Sequence, residues 1–180
     1  MQFNSLILAL SGTTLLMAHP FTERDNGFIE LDRQPASHGS GHLVFLGSGE
    51  NTKRMNMDER NPIEERASCT NDPTPSCSGD HTARNDICDK LVTELFADPT
   101  ISVGSSPRQI CYEGDAAESN EYCCVSWHNV VDGLTKGDLA PIAQTIEQQC
   151  TQNGISGKTN NVWVFNTCTS VCLSNRGTHC

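Results

Sequence analysis

The chemically loaded residues of this 180-residue chain are its ten cysteines: Cys69, Cys77, Cys88, Cys111, Cys123, Cys124, Cys150, Cys168, Cys172 and Cys180. All fall in the last 112 residues and none in the first 68. An even, dense set in one block is the pattern of a disulfide framework formed in an oxidising compartment. Rival uses of cysteine find little support. No C-x-x-C occurs, which removes the thioredoxin-type redox pair and the knuckles of a zinc ribbon. A lone catalytic thiol would leave an odd cysteine over.

Other reactive side chains do not form a reaction centre. Gly157-Lys158-Thr159 ends like a phosphate-binding loop, but Gln152 stands where that loop needs its first glycine, and the segment follows a helical pattern instead of opening one. His81, His128 and His179 lack the i+4 partner or adjoining Glu of a helical zinc site. Ser126, His128 and Asp132 crowd one strand and turn, with no Gly-x-Ser-x-Gly elbow. Glu113, Asp115, Glu118 and Glu121 form an acidic cluster between two strand patterns. Its spacing is not that of a calcium loop, so it reads as a solvated hairpin loop and a candidate contact loop. Trp127, Trp163, Phe165 and Tyr112 would make either an aromatic platform for sugars or core packing, with packing favoured by strand parity. No catalytic, cofactor or metal residue is assigned, and no cofactor is expected.

The elements that must position these residues follow from periodicity. Ala83, Ile87, Leu91 and Leu95 recur at i+4, with Cys88 and Phe96 beside the stripe, which predicts a helix from about Asp80 to Ala97 that Pro99 ends. A second helix is expected from about Asp138 to Gln152 on Leu139, Ile142, Ala143, Ile146 and Cys150. Thr135 or Asp138 would cap it, and Asn153-Gly154 would stop it. Strands are expected at Arg108 to Tyr112, Tyr122 to His128, Asn161 to Thr167 and Ser170 to Leu173. The order α-β-β-α-β-β predicts an α+β fold, a two-layer sandwich with two helices on a mostly antiparallel, disulfide-rich sheet.

Strand alternation sends Cys123, Val125 and Trp127 toward the helices and Cys124, with Ser126 and His128, to the other face. The expected bridges are Cys88 with Cys123, and Cys150 with Cys168 or Cys172. Cys69, Cys77, Cys111, Cys124 and Cys180 are then left for the second face and the ends.

The N-terminal part has a different composition. Residues 1–18 read as a secretory signal, with an apolar stretch from Leu6 to Met17 too short and broken to span a bilayer, and a cut expected after Ala18. Residues 19–68 read as a disordered linker or pro-region, with one apolar island, Leu43-Val44-Phe45-Leu46. That island would alternatively be an edge strand of the folded block. Lys53-Arg54 is a dibasic site for a kexin-type protease or a chance pair, and exposed unpacked segments favour cutting. Residues 69–180 form the disulfide-bonded domain.

Charge narrows the partners. The formal net charge is −10, and the cysteine-bearing block carries 13 Asp+Glu against 6 Lys+Arg. A field of that sign disfavours nucleic acid and anionic bilayers and favours a neutral or basic partner. The expectation is a monomer, without a membrane span, that meets an extracellular protein or wall component.

Pro107-Arg108-Gln109-Ile110-Cys111-Tyr112, Cys123-Cys124-Val125-Ser126-Trp127, and Cys168 with Cys172-Leu173-Ser174-Asn175-Arg176 and Cys180 resemble the fungal secreted cysteine-rich family called "WD-like". The resemblance covers about residues 69 to 180 and implies no WD-repeat propeller, for which the chain is too short. The order of elements is more distantly similar to fungal killer toxins and necrosis-inducing effectors. The resemblance implies a secreted fungal protein acting outside its cell and carries over no catalytic residues. It leaves a secreted effector or toxin-like binder as the first reading, an inhibitor of secreted hydrolases as the second, and a small wall-active lectin or hydrolase as the third.

The dibasic site predicts that part of the secreted material begins at Met55 and the rest near His19. Intact-mass analysis of culture supernatant checks this, and finding the His19 form alone where the processing protease is active contradicts it.

Overall fold

The computed structural model describes residues 28–48, 68–114 and 122–175. The proposed signal, Lys53-Arg54, Asp115, Glu118, Glu121, His179 and Cys180 lie outside the described residues. In chain order the elements are β1 (Phe28–Pro35), β2 (His42–Ser48), β3 (Ser76–Ser78), α1 (Asn85–Ala97), β4 (Pro107–Glu113), β5 (Tyr122–Trp127), α2 (Lys136–Gln149), β6 (Ser156–Val164) and β7 (Thr167–Ser174).

The i+4 stripe of α1 is realised, with Ile87, Cys88, Leu91 and Leu95 all buried, while Phe96 at its margin is 43% exposed. The helix starts at Asn85, not Asp80. The approach is a turn in which Asp80 donates its N–H to the Ser78 hydroxyl at 3.1 Å, and His81 has a left-handed φ of 58°. It ends at Ala97, before Asp98-Pro99, because a proline disfavours helical backbone in the residue ahead of it. In α2 the cap is Thr135. The Asp138 carboxylate accepts from its N–H at 2.8 Å and its hydroxyl at 2.7 Å, so the helix begins two residues earlier than expected. Past α2 a 3-10 turn, Thr151–Asn153, closes on Gly154 at φ 75°.

Both helices pack on one face of a seven-stranded sheet of order β1-β2-β4-β5-β7-β6-β3, in which every named pairing is antiparallel. Alternation places Ile110, Tyr112, Cys123, Val125, Trp127, Val162, Val164, Val171 and Leu173 in one core with the helices. The α+β two-layer architecture is therefore the one the periodicity predicts. Burial of Trp127 and Tyr112 at 1% removes them from any surface platform. β6 starts at Ser156, ahead of the expected Asn161, so Gly157-Lys158-Thr159 lies in a strand and not at a helix entrance. A Cβ at Gly157 would stand 2.4 Å from Ile146 Cγ2 and 2.7 Å from Cys150 Sγ. Only glycine lets this strand approach α2 so closely.

The linker expectation is corrected for residues 28–48, where the strand alternative for the apolar island holds; residues 19–27 and 49–67 lie outside the described residues. β1 and β2 form a hairpin that continues the sheet beyond β4, and β2 is an internal strand while β1 is the edge. The reason is Leu43-Val44-Phe45-Leu46. An uninterrupted apolar run suits a strand covered on both faces. Leu43 and Phe45 enter the helix-side core, and Val44 and Leu46 join Phe28, Cys111 and Cys124 in a second cluster. β1 carries Glu30, Asp32 and Arg33 along the edge, and such charges discourage pairing with other chains.

The expected Cys88–Cys123 bridge is present, with Cα atoms 5.1 Å apart, as is a bridge on the second face, Cys111–Cys124, at 4.0 Å. The expected partner of Cys150 is corrected: it is Cys77, and Cys168 pairs with Cys69. Val171 and Leu173 face the helices, so Cys168 and Cys172 take the opposite parity and cannot reach α2. Cys77 lies opposite Gly157, beneath the end of that helix. Cys172 is also disulfide-bonded.

Glu147 on α2 is 7% exposed. Burial raises its pKa, the Asp89 carboxylate on α1 raises it further, and a hydrogen bond with Gln152 opposes both. A carboxyl whose folded pKa lies above its unfolded value supplies stability below the unfolded pKa and loses it as pH rises through the folded one. Glu147→Gln is therefore expected to be more stable than the parent at pH 7, with the gain vanishing below pH ~4, under the ordinary glutamate pKa. Urea unfolding across pH measures this, and a gain independent of pH contradicts it.

Candidate functional site

Of the acidic loop, Glu113 is the member within the described residues, and it faces the hairpin. Its Oε2 lies 2.9 Å from Arg33 Nη1. Arg33 also donates from Nε and Nη2 to both oxygens of Glu30 at 2.8 and 2.9 Å. That carboxylate raises the guanidinium pKa. Glu113 is thus engaged inside the protein before any partner arrives. The other three acidic positions lie outside the described residues.

Among the described residues the candidate histidines do not converge with nucleophiles. His81 sits in the turn before α1, and His128 is exposed just past β5, where its carbonyl accepts from Arg108 Nη1. Burial lowers the pKa of Arg108. Ser126 is buried at 1%, while Asp132 is exposed in the loop before α2. Among the described residues no three His, Cys, Asp or Glu side chains come together as a metal site would require.

A different surface has the character of a contact site. In β6, Val162 and Val164 face the core, which turns Trp163 outward to 44% exposure. The two-residue turn into β7, Phe165-Asn166, holds Phe165 at φ 52° with 59% of its surface exposed. Left-handed backbone at a hairpin position that glycine ordinarily fills costs an aromatic residue about 1 kcal/mol. The ring lies against the loop before α2, its Cε1 3.3 Å from where a Cβ on Gly133 would stand. That loop exposes Val130 to 46%. It is moored to β7, since Asn129 donates its N–H to Thr169 Oγ1 at 2.8 Å and its side-chain amide to the Cys168 carbonyl at 2.7 Å.

Covalent bonding fixes this end of the sheet. Cys168, opposite Trp163, is bridged to Cys69. Thr70 then exchanges backbone hydrogen bonds with Asn161 and Trp163 at 2.9 and 3.0 Å. Sequence reasoning named Trp163 and Phe165 but grouped them with the buried Trp127 and Tyr112. The parity of Val162 and Val164 is the signal that separates them. Exposed aromatic rings on a rigid support offer apolar contact and stacking at little entropic cost.

No curated protein and no solved structure matches the chain. A family model described as Fungal WD-like matches residues 49–180, a longer span than the sequence resemblance covered. It takes in every cysteine, both helices and β3 to β7, and leaves β1 and β2 outside. With most of its length matched, the chain belongs to the Fungal WD-like family.

Proposed function

We propose that this chain is a secreted cysteine-rich protein that acts as an effector or toxin-like binder of a neutral or basic extracellular partner, and that it does not turn over a substrate. The observation that carries the reading is the aromatic hairpin tip, Trp163 and Phe165, held on a disulfide-clamped strand pair. The bridges support export to an oxidising compartment, and the net charge of −10 favours a neutral or basic partner and weaker association as salt rises. An inhibitor of secreted hydrolases is the second reading. What favours it is Phe165 itself, an apolar side chain presented in constrained backbone at a protruding turn.

Affinity capture from extracellular host and microbial extracts, identified by mass spectrometry, tests the first reading, with inhibition of the same extracts' hydrolases as a parallel readout. Trp163→Ala combined with Phe165→Gly is expected to lower capture about tenfold or more, a loss of ~1.4 kcal/mol or above. Thermal unfolding should stay near the parent's, since neither ring is deeply buried. His81→Gln, His128→Gln and His179→Gln are each expected to remain within a few-fold. A histidine variant that folds normally and loses activity by about a hundredfold or more would indicate turnover and contradict the proposal.

A further inference from the structure

The β1–β2 hairpin is held to the rest of the protein without a covalent crosslink. Every cysteine lies at or after Cys69, and the family match begins at residue 49, one position past the end of β2. Between the hairpin and the disulfide-bonded block lies Lys53-Arg54. Hydrolysis of the Arg54–Met55 bond by a dibasic-specific secretory protease would leave the hairpin attached by non-covalent contacts alone.

Those contacts define a seat of particular chemistry. β2 pairs antiparallel with β4 from His42 opposite Glu113 to Leu46 opposite Gln109, and Leu43 and Phe45 enter the core beside Tyr112 and α1. The turn between β1 and β2 lies over the end of α1. There Glu94, fully buried, accepts the Ser37 N–H at 2.9 Å and the His38 N–H as well. The Ser37 hydroxyl donates to Asp98 at 3.2 Å, and Gly41 donates its N–H to the Tyr112 hydroxyl at 3.2 Å. A Cβ on Gly41 would stand 2.3 Å from the Glu113 carbonyl oxygen and 2.6 Å from Tyr112 Cζ. The seat therefore admits a glycine at that point and little else.

We propose that β4 and the end of α1 form a strand-acceptor site for the 28–48 segment of a second copy of this chain, and that the chain's own hairpin is its resident occupant. Once vacated, β4 presents unpaired backbone donors and acceptors that an incoming strand completes by β-augmentation. The occupant shows what the site takes: apolar side chains at alternate positions, as Leu43 and Phe45 are placed, preceded by a tight glycine-containing turn whose N–H groups donate to Glu94 and Tyr112. Glu113, opposite the first residue of β2, pairs with Arg33, so a basic flank is favoured there. This site is separate from the hairpin tip and does not rest on the tip's role.

The test uses the full chain with its disulfides intact and Lys53-Arg54 replaced by the recognition sequence of a site-specific protease. After cutting, a fluorescent synthetic peptide of residues 28–48 is added. Saturable uptake is expected, with release of the unlabelled hairpin seen by mass spectrometry. Peptides carrying Phe45→Asp or Gly41→Ala should bind about tenfold more weakly or worse, through a buried charge in one case and a steric clash in the other. The Trp163→Ala, Phe165→Gly variant should take up the peptide like the parent. A cut protein that keeps its hairpin until global unfolding and takes up no peptide shows the hairpin to be integral to the fold and overturns the proposal. A cut protein that loses its hairpin and then binds no peptide overturns it equally.

Discussion

Cys123 and Cys124 are adjacent on β5, and the pleat of a strand sends adjacent side chains to opposite faces. Cys123 reaches Cys88 on α1, and Cys124 reaches Cys111 across the β4–β5 ladder. All four are fully buried. One short strand thereby locks the helical layer to the sheet and locks the sheet to itself, at a point where β4 and β7 both pair with it. The remaining described bridges work outward from this centre. Cys77–Cys150 ties the far edge strand to the end of α2, and Cys69–Cys168 ties the incoming chain to the β6–β7 hairpin. Each bridge removes loop-closure entropy from the unfolded chain, commonly about 2–4 kcal/mol, which matters in a domain with few large apolar residues.

Much of this arrangement was legible in the sequence, because burial on one face imposes a period. The i+4 stripe of α1 and the alternation of Cys123, Val125 and Trp127 each pointed to the face they occupy. The same parity applied to Val171 and Leu173 turns Cys168 and Cys172 away from the helices, so the correct exclusion for Cys150 was also present in the residues. Its partner Cys77 was not, because β3 is three exposed residues with no periodicity to read. Helix starts shifted by local polar chemistry, a Ser78–Asp80 turn in one case and the Thr135–Asp138 cap in the other.

The hairpin was obscured for a different reason. Averaged over residues 19–68, the composition is that of a chain unable to bury a core, and such an average hides a seven-residue strand whose core is supplied by other elements. β2 buries nothing alone. It is stable because β4, Tyr112 and α1 complete it. Two kinds of attachment result: a disulfide-stapled body that lies within the family match, and a pair of strands held by ladder bonds, apolar contacts and a buried glutamate. The candidate contact tip belongs to the stapled part, where the Cys69–Cys168 bridge holds it rigid. The hairpin belongs to the part that can exchange.

The divided reach of the vicinal cysteines is open to non-reducing peptide mapping with electron-transfer fragmentation, which assigns the partner of each sulfur in adjacent cysteines. The expected map links Cys88 to Cys123 and Cys111 to Cys124, with no thiol available to alkylation under denaturing conditions. Crossed linkages, Cys88 to Cys124 and Cys111 to Cys123, or a direct Cys123–Cys124 bond, would contradict it.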